Sequence, residues 1–171
     1  MKTQLFLSVV CLLGFSYRPV FAQLPIKPLA LNAVYIEALG MGGYGSVNYE
    51  RLLFYQKKVH LGLRLGIGTY RLRDFEMNFN PDLTVPFSIH AYYGKTHHIE
   101  IGAGQTFTSI VRASALDFAV ERKSSLSSNF SLGYRYQKSS GGLLFRLNYS
   151  PIVSSNEAFK HWYGLSVGYA F

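Results

Sequence analysis

The chain has 171 residues, room for one domain, with aromatics at 16% and charged residues at only 15%, below the usual quarter of soluble domains. No run of eighteen apolar residues occurs after the N-terminus, which excludes helical membrane spans. With Lys2 and Arg18 set aside in a cleaved leader, fifteen basic residues face nine acidic ones, a net charge of +6. These charges are dispersed and no nucleic-acid motif accompanies them, so no nucleic-acid partner is expected.

Residues 1–22 read as a secretory signal peptide. Lys2 supplies the positive start, Leu5 to Phe15 the apolar core, and Val20-Phe21-Ala22 a small-residue cleavage site. The one cysteine, Cys11, lies inside that apolar core, and Val10 before it is too large for a lipoprotein acceptor. The mature chain therefore lacks disulfides and thiolate chemistry. Residues 23–32 (QLPIKPLALN) hold two prolines and form an extended lead-in.

From residue 33 to 171, segments of period two recur between turn residues. They run 33–40, 44–55, 59–68, 84–93, 98–110, 127–137, 142–152 and 161–171. The connections after the second, fourth and sixth are short. Those after the third, fifth and seventh are longer, which is the asymmetry of periplasmic turns and extracellular loops. Gly40 to Gly43 breaks the rule as a short turn on the extracellular side, and merging 33–55 into one strand would leave an odd count of seven. Gln105 falls on the apolar side, which predicts a bulge near Gly104. Pro86, without an N–H, predicts a bulge or frayed end. Val111 to Leu126 reads as the longest loop, with a helical turn from Ala115 to Val120.

The faces are informative. Val59, Leu61, Leu63, Leu65 and Ile67 point one way, and His60, Gly62, Arg64, Gly66 and Gly68 the other. At the end of the chain Tyr163, Leu165, Val167, Tyr169 and Phe171 form a large apolar face, opposite Gly164, Ser166, Gly168 and Ala170. A second face so small suits a crowded lumen better than a solvated surface. The fold class is all-β, an eight-stranded antiparallel up-and-down transmembrane β-barrel. Turning the apolar sides to lipid sends Glu37, Glu50, Glu100, Arg64, Arg135 and Arg146 inward, with His90, Asn48 and Asn148. Three carboxylates then balance three guanidiniums in a bore only wide enough for side chains. Paired ions fill such a bore, and an open pore is not expected. Arg51 is the main exception, pointing outward close enough to the periplasmic end to snorkel. A soluble, lipocalin-like barrel is the rival fold; it would reverse the faces and leave an exterior sparse in lysine.

Few residues suggest chemistry. His60, His90 and His98 face inward on neighbouring strands, a set that binds divalent metals when its geometry converges, but no tight ligand spacing accompanies them. A lipid-modifying hydrolase needs a serine activated by a histidine that a carboxylate orients. Ser88 and His90 are the nearest pair, and they point inward. His161, with Glu157, Ser154 and Ser155 in the preceding loop, is the other. Neither set is specific, so no catalytic residue, metal or cofactor is expected.

The blocks YGSVNYERLL, LGLRLGIGTY, LTVPFSIHAYYGK, HHIEIGAG, FSLGYRYQ, GGLLFRLNYSP and YGLSVGYAF resemble a family of small, mostly uncharacterised outer-membrane β-barrel proteins of Gram-negative bacteria. NYER and LGYRYQ are the most specific. The resemblance implies a barrel over 33–171 in the outer membrane and carries no catalytic residues. The ending also resembles the C-terminal signal of such proteins, implying that Tyr163, Leu165, Val167, Tyr169 and Phe171 are read by the barrel-assembly machinery. Expected partners are outer-membrane lipid and lipopolysaccharide, with a monomer as the expected state. A structural, adhesion or interaction role is the first functional expectation. A binder or transporter of small hydrophobic ligands is the second, and a lipid A-modifying enzyme the third.

Overall fold

The computed structural model describes residues 29–113, 120–154 and 157–171, those from 152 to 160 by their backbone. The signal peptide and most of the lead-in lie outside the described residues, as do residues 115–119 of the expected helical turn.

Ten strands form one antiparallel sheet: Asn32–Leu39 (β1), Gly45–Gln56 (β2), Val59–Thr69 (β3), Leu83–Gly94 (β4), His97–Ala113 (β5), Val120–Gln137 (β6), Gly142–Tyr149 (β7), Ile152–Ser154 (β8), Glu157–Lys160 (β9) and Tyr163–Ala170 (β10). Each long strand pairs with the next, β7 pairs with β10, and β10 pairs with β1 from Ala33↔Ala170 to Leu39↔Gly164, closing the sheet. The two short strands are not extra staves. β6 meets Tyr149 at Leu132 and Val153 at Ser128, four residues further along on both sides. β8 thus continues β7 in register, interrupted at Pro151, which has no N–H to donate. β9 continues β10 in the same way beyond Trp162. The barrel has eight staves, and 33–55 forms two of them.

The end with the tight turns at 57–58, 95–96 and 138–141 is the lower rim, and the opposite end is the upper rim. Residues 111–113 and 120–126 are strand, not loop: β5 and β6 are paired to Ala113↔Val120. The ladder through Gly104 is continuous, with Gln105 outward and exposed, so no bulge lies there. Register shifts instead in β2, between Leu52 and Phe54, and between Ile152 and Ser154 of β8. Pro86 makes no bulge either. It interrupts the β3–β4 ladder between Leu65↔Phe87 and Gly68↔Thr84, and pairing resumes in the same register.

Burial is inverted relative to a water-soluble protein. Most buried side chains among the described residues are polar or charged, while Ile36, Ile67, Ile99, Ile101, Phe130, Leu132 and Leu143 are more than half exposed on the outside. A contiguous apolar belt of this kind suits hydrocarbon and not water. The chain is a transmembrane β-barrel of the outer-membrane type, and a lipocalin-like arrangement with the apolar face inward is excluded.

Candidate functional site: the charged lumen

The alternation of each strand delivers one or two polar residues to the bore at successive heights. In the upper half, Glu37 of β1 meets Arg64 of β3: Nη1 donates to Oε1 at 3.3 Å and Nη2 to Oε2. Arg64 also donates from Nε and Nη2 to Asn48 Oδ1, at 3.0 and 2.8 Å. Ser46 and Ser166 donate to the two oxygens of Glu37 at 3.5 and 3.4 Å.

The lower half is built around Glu100 of β5. Arg146 of β7 donates to both of its oxygens, and Arg135 Nη1 of β6 donates to Oε2 at 3.2 Å. The same Arg135 Nη1 stands 2.7 Å from Glu50 Oε1, and its Nε donates to Gln137 at 2.8 Å. Its guanidinium lies 4.2 Å from the Tyr92 ring centre, a cation–π contact. Tyr35 connects the parts. Its hydroxyl accepts from Arg146 Nη1 at 2.7 Å and donates to Glu50 at 3.4 Å, while its ring lies 5.6 Å from Arg64 and 5.0 Å from Arg146. The structure thus brings Glu37, Glu50, Arg64, Glu100, Arg135 and Arg146 into two linked clusters, each at most 3% exposed. Tyr35, the link, went unnoticed in the sequence; counting two residues back from Glu37 places it inward.

The histidines separate. His90 is held at mid-lumen, with Nδ1 2.9 Å from Glu100 Oε1 and Nε2 2.7 Å from Ser88 Oγ. His60 and His98 meet at the lower rim, ring centres 5.1 Å apart, with His60 stacked on Tyr92. Among the described residues no three metal-ligating side chains converge. Ser88, His90 and Glu100 do have the connectivity of a hydrolytic triad, and the carboxylate member was not legible locally because it comes from the next strand. That connectivity is enclosed within the ion cluster. Ser88 and His90 are fully buried and Glu100 nearly so, and Arg146 shares the carboxylate. A Cβ on Gly104 would already press on Ser88, and one on Gly102 on His90 and Ser131, so the pair is closely packed by its neighbours. In the second expected set, His161 Nδ1 lies 2.7 Å from the Tyr149 hydroxyl. The Ser154 and Glu157 side chains and all of Ser155 lie outside the described residues.

Chain segments lie across both ends of the lumen. The short turn between β1 and β2 is a 3₁₀ turn, Gly40–Gly42, folded into the bore, with all three residues buried. Its carbonyls are received across the barrel: Thr84 Oγ1 donates to Gly42 O at 2.6 Å and Thr106 Oγ1 to Met41 O at 3.0 Å. This fold needs positive φ at Leu39, Gly40 and Gly43 (62°, 77° and 97°), which glycine adopts at little cost. Below, Ala30 N donates to Ser139 O at 2.9 Å, and the end of the lead-in crosses the rim beside His60, Tyr92 and His98.

No protein-family model matches the chain, and no curated protein matches it significantly in sequence. Among solved structures, the N-terminal β-barrel domain of Pseudomonas aeruginosa OprF aligns with TM-score 0.55 at 13% identity, over 82% of this chain and 95% of that one. The Yersinia pestis outer membrane protein Ail aligns with TM-score 0.49 at 10% identity, over 82% and 98%. The fold is that of eight-stranded outer-membrane β-barrels.

Proposed function

We propose that this protein is a sealed outer-membrane barrel that works through its surface, as a structural or adhesive element and not as a channel. The observation that carries this reading is the lumen: two linked ion clusters fill it, and the Gly40–Gly42 turn stops its upper end. On this reading the lower rim is periplasmic and the upper rim extracellular. The β5–β6 hairpin, which extends beyond the start of β4 at Leu83↔Ser109, is then the part held out to partners. Contact with lipid and lipopolysaccharide, a monomeric state, and kinship with the small barrels that the NYER and LGYRYQ blocks resemble belong to the same proposal. So does recognition of the outward row Tyr163, Leu165, Val167, Tyr169 and Phe171 by the assembly machinery. The same burial argues against hydrolysis at Ser88.

The test is electrical. Purified protein in a planar bilayer is expected to give no steady single-channel conductance, and fluorophosphonate is expected to leave Ser88 unlabelled. Reproducible channels that a lumen substitution alters would overturn the sealed barrel, and labelling at Ser88 would restore the enzyme reading.

A further inference from the structure

The outer wall is not a smooth cylinder. Near the upper rim, Ile36 and Ala38 of β1, Val47 of β2, Ile67 of β3, Leu83 of β4 and Tyr44 border an open groove of about 570 Å³, within the ~300–1,000 Å³ range of ligand sites. Its origin is local. The β1–β2 turn goes into the lumen, so no loop covers the wall outside it. Gly45, paired to Thr69, leaves no side chain there, and the ladder beside Ile67 is interrupted opposite Pro86. Glu37, Ser46 and Asp82 back the groove but are 2%, 7% and 4% exposed, so the surface it offers is apolar. Above it stands an aromatic ledge: Tyr44 stacks on Trp162 at 5.9 Å and meets Tyr70 edge-on at 5.6 Å. Such rings sit at the headgroup level of membranes.

We propose that this groove is a binding site for one acyl chain of an outer-leaflet lipid. The occupant follows from position and surface. The groove opens within the lipid-facing belt, directly below the aromatic ledge, and offers nothing to a polar ligand. Left empty, its walls would forfeit dispersion contacts, which a flexible chain restores; in hydrocarbon, packing and not water exclusion supplies the attraction. The inference rests on the membrane placement proposed above.

Trp162 is the only tryptophan of the chain and stacks on a residue that borders the groove, so its fluorescence reports occupancy. A phospholipid with brominated chains is titrated into the folded protein in unbrominated detergent micelles. Quenching is expected to saturate near one lipid per barrel, and native mass spectra are expected to retain one lipid. A Cβ at Gly45 would meet open space, and its φ is ordinary, so Gly45→Leu fills the groove without straining the strand. It is expected to abolish the saturable quenching and the retained lipid; Ala38→Phe serves if that variant does not fold. Quenching that only follows the brominated fraction, equally in wild type and variant, would overturn the site. So would saturation by a brominated free fatty acid but not by the phospholipid, or a dimer in place of a lipid adduct. A wild type that is heat-modifiable and membrane-bound yet shows no saturable quenching would refute the groove and leave the barrel standing.

Discussion

At the scale of single residues, charge in this lumen is tolerated because Glu37, Glu50, Glu100, Arg64, Arg135 and Arg146 each have a partner of opposite sign. Arg64 is fully buried and its carboxylate partner is Glu37, with Asn48 taking two further donated bonds. Removing one member of a buried pair strands the other, which costs about 3–5 kcal/mol, whereas replacing both by apolar groups is often neutral. Glu37→Met alone is therefore expected to lower unfolding stability in lipid vesicles by about 3 kcal/mol. The double variant Glu37→Met, Arg64→Met should lose less than either single one. Losses that simply add would show that the pair is not a unit. Inward placement of the six charged residues was legible in the sequence, because a guanidinium facing lipid is costly and period two leaves only one alternative. Their partners were not. Alternation fixes the side of the wall, while strand stagger fixes the height, and so which carboxylate Arg135 meets.

Among the elements, the β1–β2 turn carries stored strain. Leu39 sits at φ 62°, ψ −152°, a region nearly restricted to glycine and costing about 1–3 kcal/mol elsewhere. The inward bonds of Met41 and Gly42 hold it there. Leu39→Gly is expected to raise stability by about 1 kcal/mol, part of the gain being offset by the lost apolar contact, as read from the urea midpoint of refolded protein. A fall of similar size would mean that the side chain matters more than the backbone. The sequence marks this turn as a short exception by its glycines, but nothing local says that it folds inward, since the receiving hydroxyls are 42 and 65 residues away. The upper half of β6 reads as loop in the sequence for a different reason. Glu121, Arg122, Lys123, Ser124 and Ser125 are polar on both faces, as suits a hairpin with water on either side, and the period-two signal needs two unlike environments.

For the whole molecule, the belt and the projecting hairpin predict opposite responses to the same substitution. Ile101, 57% exposed and paired between Ala91 and Leu132, lies well inside the belt. Ile101→Arg should cost about 2–4 kcal/mol. Val120, at the tip of the same sheet, should accept arginine at a cost below about 0.5 kcal/mol. Equal costs at the two sites, measured by equilibrium unfolding from vesicles, would mean that the hairpin tip is buried in lipid or protein. The barrel, its closure and its lipid-facing side were all legible from alternation and composition. The groove was not, because it arises where side chains and ladder bonds are missing.

The staves are unequal: β1 has 8 residues and β6 has 18. At ~3.3 Å per residue and a tilt of ~40°, β1 rises only ~20 Å, short of a ~25 Å apolar band. The bilayer meets a low parapet on one side of the cylinder and a high one on the other. Thinning by a few ångströms costs fractions of a kcal/mol per ångström, so the surrounding lipid is compressed along one sector only. A barrel with a built-in thin side carries a compass: it is expected to lean in the membrane, and neighbours that also thin the bilayer are expected to be drawn to that sector before any side chain touches.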